Sequence, residues 1–288
     1  MNLSKYLDFE ISNSSLKLFR LSLGSIFLFY LFFLLPNWNV FFAADGILQL
    51  KTTTAFVDKI NLFTIFDKVK LSIFWIWFIG VVASCLLIFN LHPRLSTILL
   101  LLVQASIIRR NPSVVNGEDL VYRMLLFYAC FFPVDKKIDL LGKIAVWFSQ
   151  INLLLIYVFS LPAKLLSDPA WTNGDLMYYV FINDTWSRWD LSSVLGLKPI
   201  SEILTFASVG IELLVPIFIW FKRIRLFVVL ISLIFHLCIG IFLQNVTFFS
   251  LAMMNGLILF LPERYAHDFL LSFRQGYYFV RTYIKKII

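Results

Sequence analysis

A helix that crosses the hydrocarbon of a bilayer needs about twenty largely apolar residues, and the run Leu140–Leu161 supplies them. No feature of the chain narrows its folding options more. The run ends at Pro162, with Lys164 two residues on and Trp171 one short loop further. Lys164 is thereby expected where hydrocarbon gives way to the interface. One reading makes it an anchor, its stem in lipid and its head in water. The sharper reading is a half-desolvated amine able to act as a base. Other runs repeat the pattern: Leu16–Leu35 stopped by Pro36, Leu71–Phe89, a short Leu95–Ile108, Leu120–Phe132 begun by Gly117–Asp119, Ile200–Trp220, Leu226–Leu243 and Val246–Leu261.

Composition agrees. Hydrophobic residues make up 60% of the 288 and mean hydropathy is +0.85, against roughly 45–50% apolar in a soluble domain. The expected fold is all-α: a polytopic transmembrane helical bundle of about eight spans, one domain filling residues 1–288, with both termini cytoplasmic. The orientation follows from the positive-inside trend. With the N-terminus inside, the inner turns receive Arg94, Lys136, Lys137, Lys143, Lys222, Arg223 and Arg225, and Arg109 and Arg110 run against the trend. The net charge of +8 is therefore spread between apolar runs and is not a nucleic-acid face. Residues 262–288, with Tyr277, Tyr278, Phe279, Arg281, Tyr283 and Lys285, suit an amphipathic helix on an anionic leaflet.

Two long connectors, Asn37–Lys70 and Leu166–Pro199, are expected on the opposite side, the first with runs (Val40–Ala44, Phe56–Phe66) too short to span. The first apolar run is long and lacks a small-residue cleavage site, so it is read as a retained helix. Cys85, Cys130 and Cys238 lie in or beside apolar runs and read as core residues, not a disulfide framework.

Polar side chains inside a membrane are costly and so carry the functional expectation. Arg109, Arg110, Asn111 and Pro112 precede Asn116, Gly117, Glu118 and Asp119. That is either a helix-turn-helix capped by Asn116 with acids in its first turn, or a charged rim that steers an anionic head group. Lys164 with Asp168, Trp171, Asn173, Gly174 and Asp175 forms a second set. Glu212, mid-span, must pair or stay protonated. His236 lies in Phe235-His236-Leu237-Cys238, on an apolar helix. No His, Cys and carboxylate set has metal-ligand spacing, and neither a nucleophile elbow nor HExxH is present.

Taken in order, these motifs resemble the HTTM family, the membrane domain shared with vitamin K-dependent gamma-carboxylases and found in short bacterial SdpB-type proteins of antimicrobial-peptide export systems. The resemblance rests on Arg110-Asn111-Pro112 with Asn116-Gly117-Glu118-Asp119, then Gln150, Tyr157, Lys164 and Trp171-x-x-Gly174, then Glu212-Leu213-x-x-Pro216, then Phe235-His236 before a Phe- and Ser-rich helix ending Leu261-Pro262. It implies a polar intramembrane pocket for a quinol or lipid-like substrate, with reduced quinone as cofactor and gamma-carboxylase or epoxidase-like chemistry. Lys164 would be the base, His236 and Glu118 further catalytic groups, and Arg109, Arg110, Asn116, Trp171 and Glu212 the substrate-binding groups. It also implies a multi-pass protein of the bacterial cytoplasmic membrane. The spacing from Lys164 to Trp171 is longer than in the carboxylases, an acid near Glu118 replaces their histidine, and their large lumenal domain has no counterpart in these residues. A non-catalytic alternative is a membrane component of a peptide maturation, export or immunity system, whose partners are a peptide precursor and other proteins of that system.

Overall fold

The computed structural model describes residues 11–48, 62–134, 140–191, 193, 196–273 and 275. Among these the regular secondary structure is helical, apart from bridge residues at Phe221 and at Ser187, the latter pairing antiparallel with Leu243. The helices are α1 (Asn13–Leu34), α2 (Trp38–Phe42), α3 (Leu62–Lys68), α4 (Phe74–Ile88), α5 (Pro93–Arg110), α6 (Gly117–Ala129), α7 (Leu140–Ser167), α8 (Ala170–Asn173), α9 (Leu176–Ile182), α10 (Lys198–Phe218), α11 (Arg225–Phe242) and α12 (Thr247–Leu257). A further helix covers 263–273. Lys136, Lys137, most of Phe56–Phe66 and the tail residues Tyr277, Tyr278, Phe279, Arg281, Tyr283 and Lys285 lie outside the described residues.

Helix α1 is the axis. Leu16, Phe19, Leu23, Phe27 and Leu31 recur at three- and four-residue spacing and are buried, which is one face of a 3.6-residue helix. That face packs on α4 and α12. At Gly24 the backbones approach so closely that an added Cβ would lie 2.9 Å from the Ser84 carbonyl oxygen and from Ile88 Cγ1. Asn255 Nδ2 on α12 donates to the Phe19 carbonyl at 3.0 Å. Helices α4, α5, α6 and α7 then pack in chain order, and α7, α10 and α11 form the remaining wall, with α12 closing the bundle against α11, α6 and α7.

Helices α10 and α11 are inside out by the standard of a water-soluble protein. On α10 the buried residues are Ser201, Thr205, Ser208, Glu212 and Val215, whereas Ile203, Leu204, Phe206, Leu213, Leu214 and Ile217 are exposed. On α11, Ser232 and His236 face inward while Phe227, Leu230, Ile234, Leu237 and Ile241 face out. Lipid tails are as apolar as leucine, so a bilayer-embedded helix gains little by hiding such side chains and much by pairing its polar ones. Among the described residues four helical segments are long and apolar enough to cross a membrane: Asn13–Phe42, Leu140–Ser167, Lys198–Phe218 and Arg225–Phe242. By contrast α4 has 15 residues and α6 has 13. At 1.5 Å per residue these reach roughly 20 Å, against about 30 Å of hydrocarbon, so they need their flanking turns or a thinned bilayer to cross.

At neither Pro36 nor Pro162 does the chain leave helical structure. Pro36 sits in a 3-10 turn (Leu35–Asn37) that leads directly into α2. Pro162 lies inside α7, which continues through Lys164 to Ser167. A proline deletes one backbone donor, but ending the helix in a medium without water would strand several polar groups. The described start of the first connector lies against the bundle: the Phe42, Ala43 and Leu48 carbonyls all accept from Arg110.

Candidate functional site

Lys164 and Glu212 meet. Lys164 Nζ donates to Glu212 Oε1, and Ser160 Oγ, one turn earlier on α7, donates to Oε2 at 3.2 Å. Both carboxylate oxygens are thus occupied. The Glu212 side chain is 7% exposed and that of Lys164 28%, so the pair sits at the rim of a dry interior. The indole of Trp171 covers the amine, with Nζ 4.7 Å from the ring centroid, a cation–π distance.

One further turn down α7, Tyr157 Oη lies 2.7 Å from His236 Nε2, and both residues are buried. Phe235 and Phe249 close around the imidazole at ring separations of 5.2 and 6.4 Å. His236 Nδ1 is buried and has no hydrogen-bond partner among the described residues. In either tautomer the tyrosine engages one ring nitrogen and leaves the other as a bare donor or acceptor. The arrangement is a polar column, Trp171 over Lys164–Glu212 over Tyr157–His236, built from α7, α8, α10 and α11.

Helix periodicity makes the column possible. Tyr157, Ser160 and Lys164 are spaced i, i+3, i+7, as are Thr205, Ser208 and Glu212, so each set shares one face. The upper part of the α10 stripe also docks the connector that carries Trp171. Ser201 Oγ and Thr205 Oγ1 donate to the Gly174 carbonyl at 2.9 and 3.1 Å, and they accept from the backbone N–H groups of Tyr178 and Met177. Gly174 has φ 81°, and a Cβ there would lie 2.6 Å from Glu202 Cγ, so only glycine fits this left-handed turn without strain. Asp168 Oδ1 accepts from Ala170 N–H at 2.8 Å and starts α8.

The other expected site residues go elsewhere. Asn116 and Asp119 cap α6: Asp119 Oδ2 accepts from Asn116 N–H at 3.0 Å, while its Oδ1 accepts from Gln104 Nε2 at 2.5 Å and Tyr30 Oη at 3.2 Å. Glu118 is buried beside them and accepts from Asn116 Nδ2 at 3.3 Å. It belongs to the cap. Phe249 separates this cap from the column, touching the His236 ring on one side and lying 3.8 Å from a Cβ built on Gly117 on the other. Arg110 is not available to steer a head group, because its nitrogens are spent on connector carbonyls; Asn111 Nδ2 holds a fourth, that of Phe41, at 3.0 Å. Arg109 is exposed at the end of α5.

Ser160, Ser201, Thr205 and Ser208 were not among the residues singled out from the sequence, nor were Tyr30 and Gln104. The small hydroxyl residues carried a usable signal, a polar stripe at helical spacing on an otherwise apolar run. Tyr30 and Gln104 carried none, since each has only apolar residues three and four positions away on its helix. Among the described residues no group of three or more His, Cys, Asp or Glu side chains is placed to hold a metal ion. No family model, curated protein or solved structure matches this chain.

Proposed function

We propose that the chain is an HTTM-like integral membrane protein of the bacterial cytoplasmic membrane, with eight crossings and both ends inside. Its polar column takes an amphiphile bearing a hydroxyl, of the quinol or lipid class. One observation carries the reading: five polar or aromatic groups on α7, α8, α10 and α11 converge at the border between the dry interior and the interface. Such groups are retained in a bilayer chiefly where they work.

The chemistry that fits is acid–base. With Glu212 ionised, Lys164 is held as an ammonium and cannot accept a proton. Passing the proton from Nζ to Oε1 frees the amine. The amine so released is the base, and Glu212 is its internal proton store. Tyr157 and the open Nδ1 of His236 are the groups that would hold the hydroxyls of a quinol, and a bound quinol would supply reducing equivalents. Co-purification followed by quinone and lipid mass spectrometry tests this. A quinone retained by the native protein and lost in both Lys164→Ala and Glu212→Gln is the expected result; an empty native protein refutes it.

A second reading has support in the closed state of the same pair. Both Glu212 oxygens are satisfied and Trp171 covers the amine, which is also how a structural clasp is built. On that reading the protein is a non-catalytic membrane component of a peptide maturation, export or immunity system. It then recruits partners through its outer connectors, where Trp186 and Trp189 are exposed. A stoichiometric partner co-purifying with a quinone-free protein is the result that selects it.

A further inference from the structure

The polar column is at one end of the bundle; the other end holds a cavity of about 740 Å³. It lies between the start of α1, the α4–α5 turn and helix 263–273. Leu21, Ile88, Phe89, Leu270, Leu271 and Phe273 give it apolar walls, and Lys17, Asn90 and His267 give it a polar rim. Ligand sites span roughly 300–1,000 Å³, so the volume is adequate for a ligand.

The charges around it are unbalanced. Lys17 is exposed and has no ionic partner among the described residues. Arg20, one turn further along α1, is buried, and its acceptors are uncharged: Asn90 Oδ1 at 3.2 Å and the Pro133 carbonyl. Arg94 is near enough to repel it. Among the described residues the neighbouring acids are already engaged. Glu263 caps α1 through Ser12 Oγ, Ser14 N–H and Ser14 Oγ, and Asp268 faces His267 and Arg264 at 3.7 and 4.0 Å. A buried cation without a counter-charge is costly, and an anion held at Asn90 and Lys17 would lower that cost.

We propose that this cleft holds an anionic phospholipid of the surrounding bilayer, its phosphate at Lys17 and Asn90 within the field of Arg20, its chains along Leu21, Phe89 and Leu270. The apolar walls favour a lipid over a free phosphate. Native mass spectrometry of the purified protein with added phosphatidylglycerol or phosphatidylcholine tests the proposal, with inorganic phosphate as competitor. The native protein retains phosphatidylglycerol in preference, and excess phosphate does not displace it. Lys17→Glu reduces that preference by at least about fivefold, the effect of losing one basic group at an anionic surface. Leu270→Trp, which fills the cleft without changing charge, lowers retention of both lipids. Lys222→Glu, between α10 and α11, leaves the preference unchanged. Equal retention of the two lipids, displacement by phosphate, or an equal effect of Lys17→Glu and Lys222→Glu overturns the proposal.

Discussion

Lys164 and Glu212 are tolerable together and expensive apart. Removing one partner of a buried pair leaves the other desolvated and unmatched, whereas replacing both with apolar groups restores packing. Lys164→Met alone is therefore expected to lower stability in detergent by about 1–3 kcal/mol, the cost of an orphaned buried polar group. Lys164→Met combined with Glu212→Leu should recover most of it. A double-mutant cycle on thermal melting measures this, and additive losses would show that the two side chains act independently. Glu263 offers a second test at this scale. Burial works to raise its proton affinity, but hydrogen bonds from Ser12 and Ser14 outweigh it and hold the carboxyl below its ordinary value. A depressed carboxyl stabilises the fold above its unfolded value, and that contribution is lost as pH falls through the folded one. The melting difference between the native protein and Glu263→Gln should accordingly be largest near neutral pH. It should vanish as the solution is acidified through and below the carboxylate range.

At the scale of helices, close approach is bought with small residues. Gly24→Ala would press a methyl onto backbone atoms of α4, with an expected loss of about 1–3 kcal/mol from overpacking. Gly210 on α10 has nothing within 4 Å of its would-be Cβ. Gly210→Ala should be neutral or stabilising by up to about 1 kcal/mol through helix propensity. Comparing the two melting temperatures separates packing from propensity. Periodicity and turn residues made the helices themselves legible in the sequence, and α10 and α11 lie within a few residues of their expected ends. Proline misled in part: Pro36 read as the stop of the first span, and α1 does end at Leu34, yet a 3-10 turn carries the chain straight on into α2. Of the candidate site, Lys164, Trp171, Glu212 and His236 stood out as polar groups in apolar surroundings, and they do converge. Their pairing did not stand out, because it depends on which faces of α7, α10 and α11 meet. Glu118, Asn116 and Arg110 stood out for the same reason yet serve the α6 cap and the connector. A sequence marks a polar group as costly without saying what satisfies it.

For the whole molecule, the inverted faces of α10 and α11 and the basic turns give a testable orientation. With Arg94, Lys143, Lys222 and Arg223 at one end, the positive-inside trend predicts a cytoplasmic location for that end. Single cysteines introduced at Asp184 and Lys222, in a background without Cys85, Cys130 and Cys238, should then differ. A membrane-impermeant maleimide should label the first in intact cells and the second only after lysis. The reverse pattern would turn the bundle over.

The separation of 48 residues between Lys164 and Glu212 has a consequence for biosynthesis. Ribosomes deliver the amino-terminal partner first, so the ammonium enters the membrane before its carboxylate has been made. During that interval it must keep its head in the water-rich interface, which its place at the end of α7 permits. When α10 arrives, its acid finds a cation already waiting, and the clasp that forms draws the late helix against the early one. The pair would thus act as an assembly checkpoint, and a nascent chain lacking either member should linger at the insertion machinery.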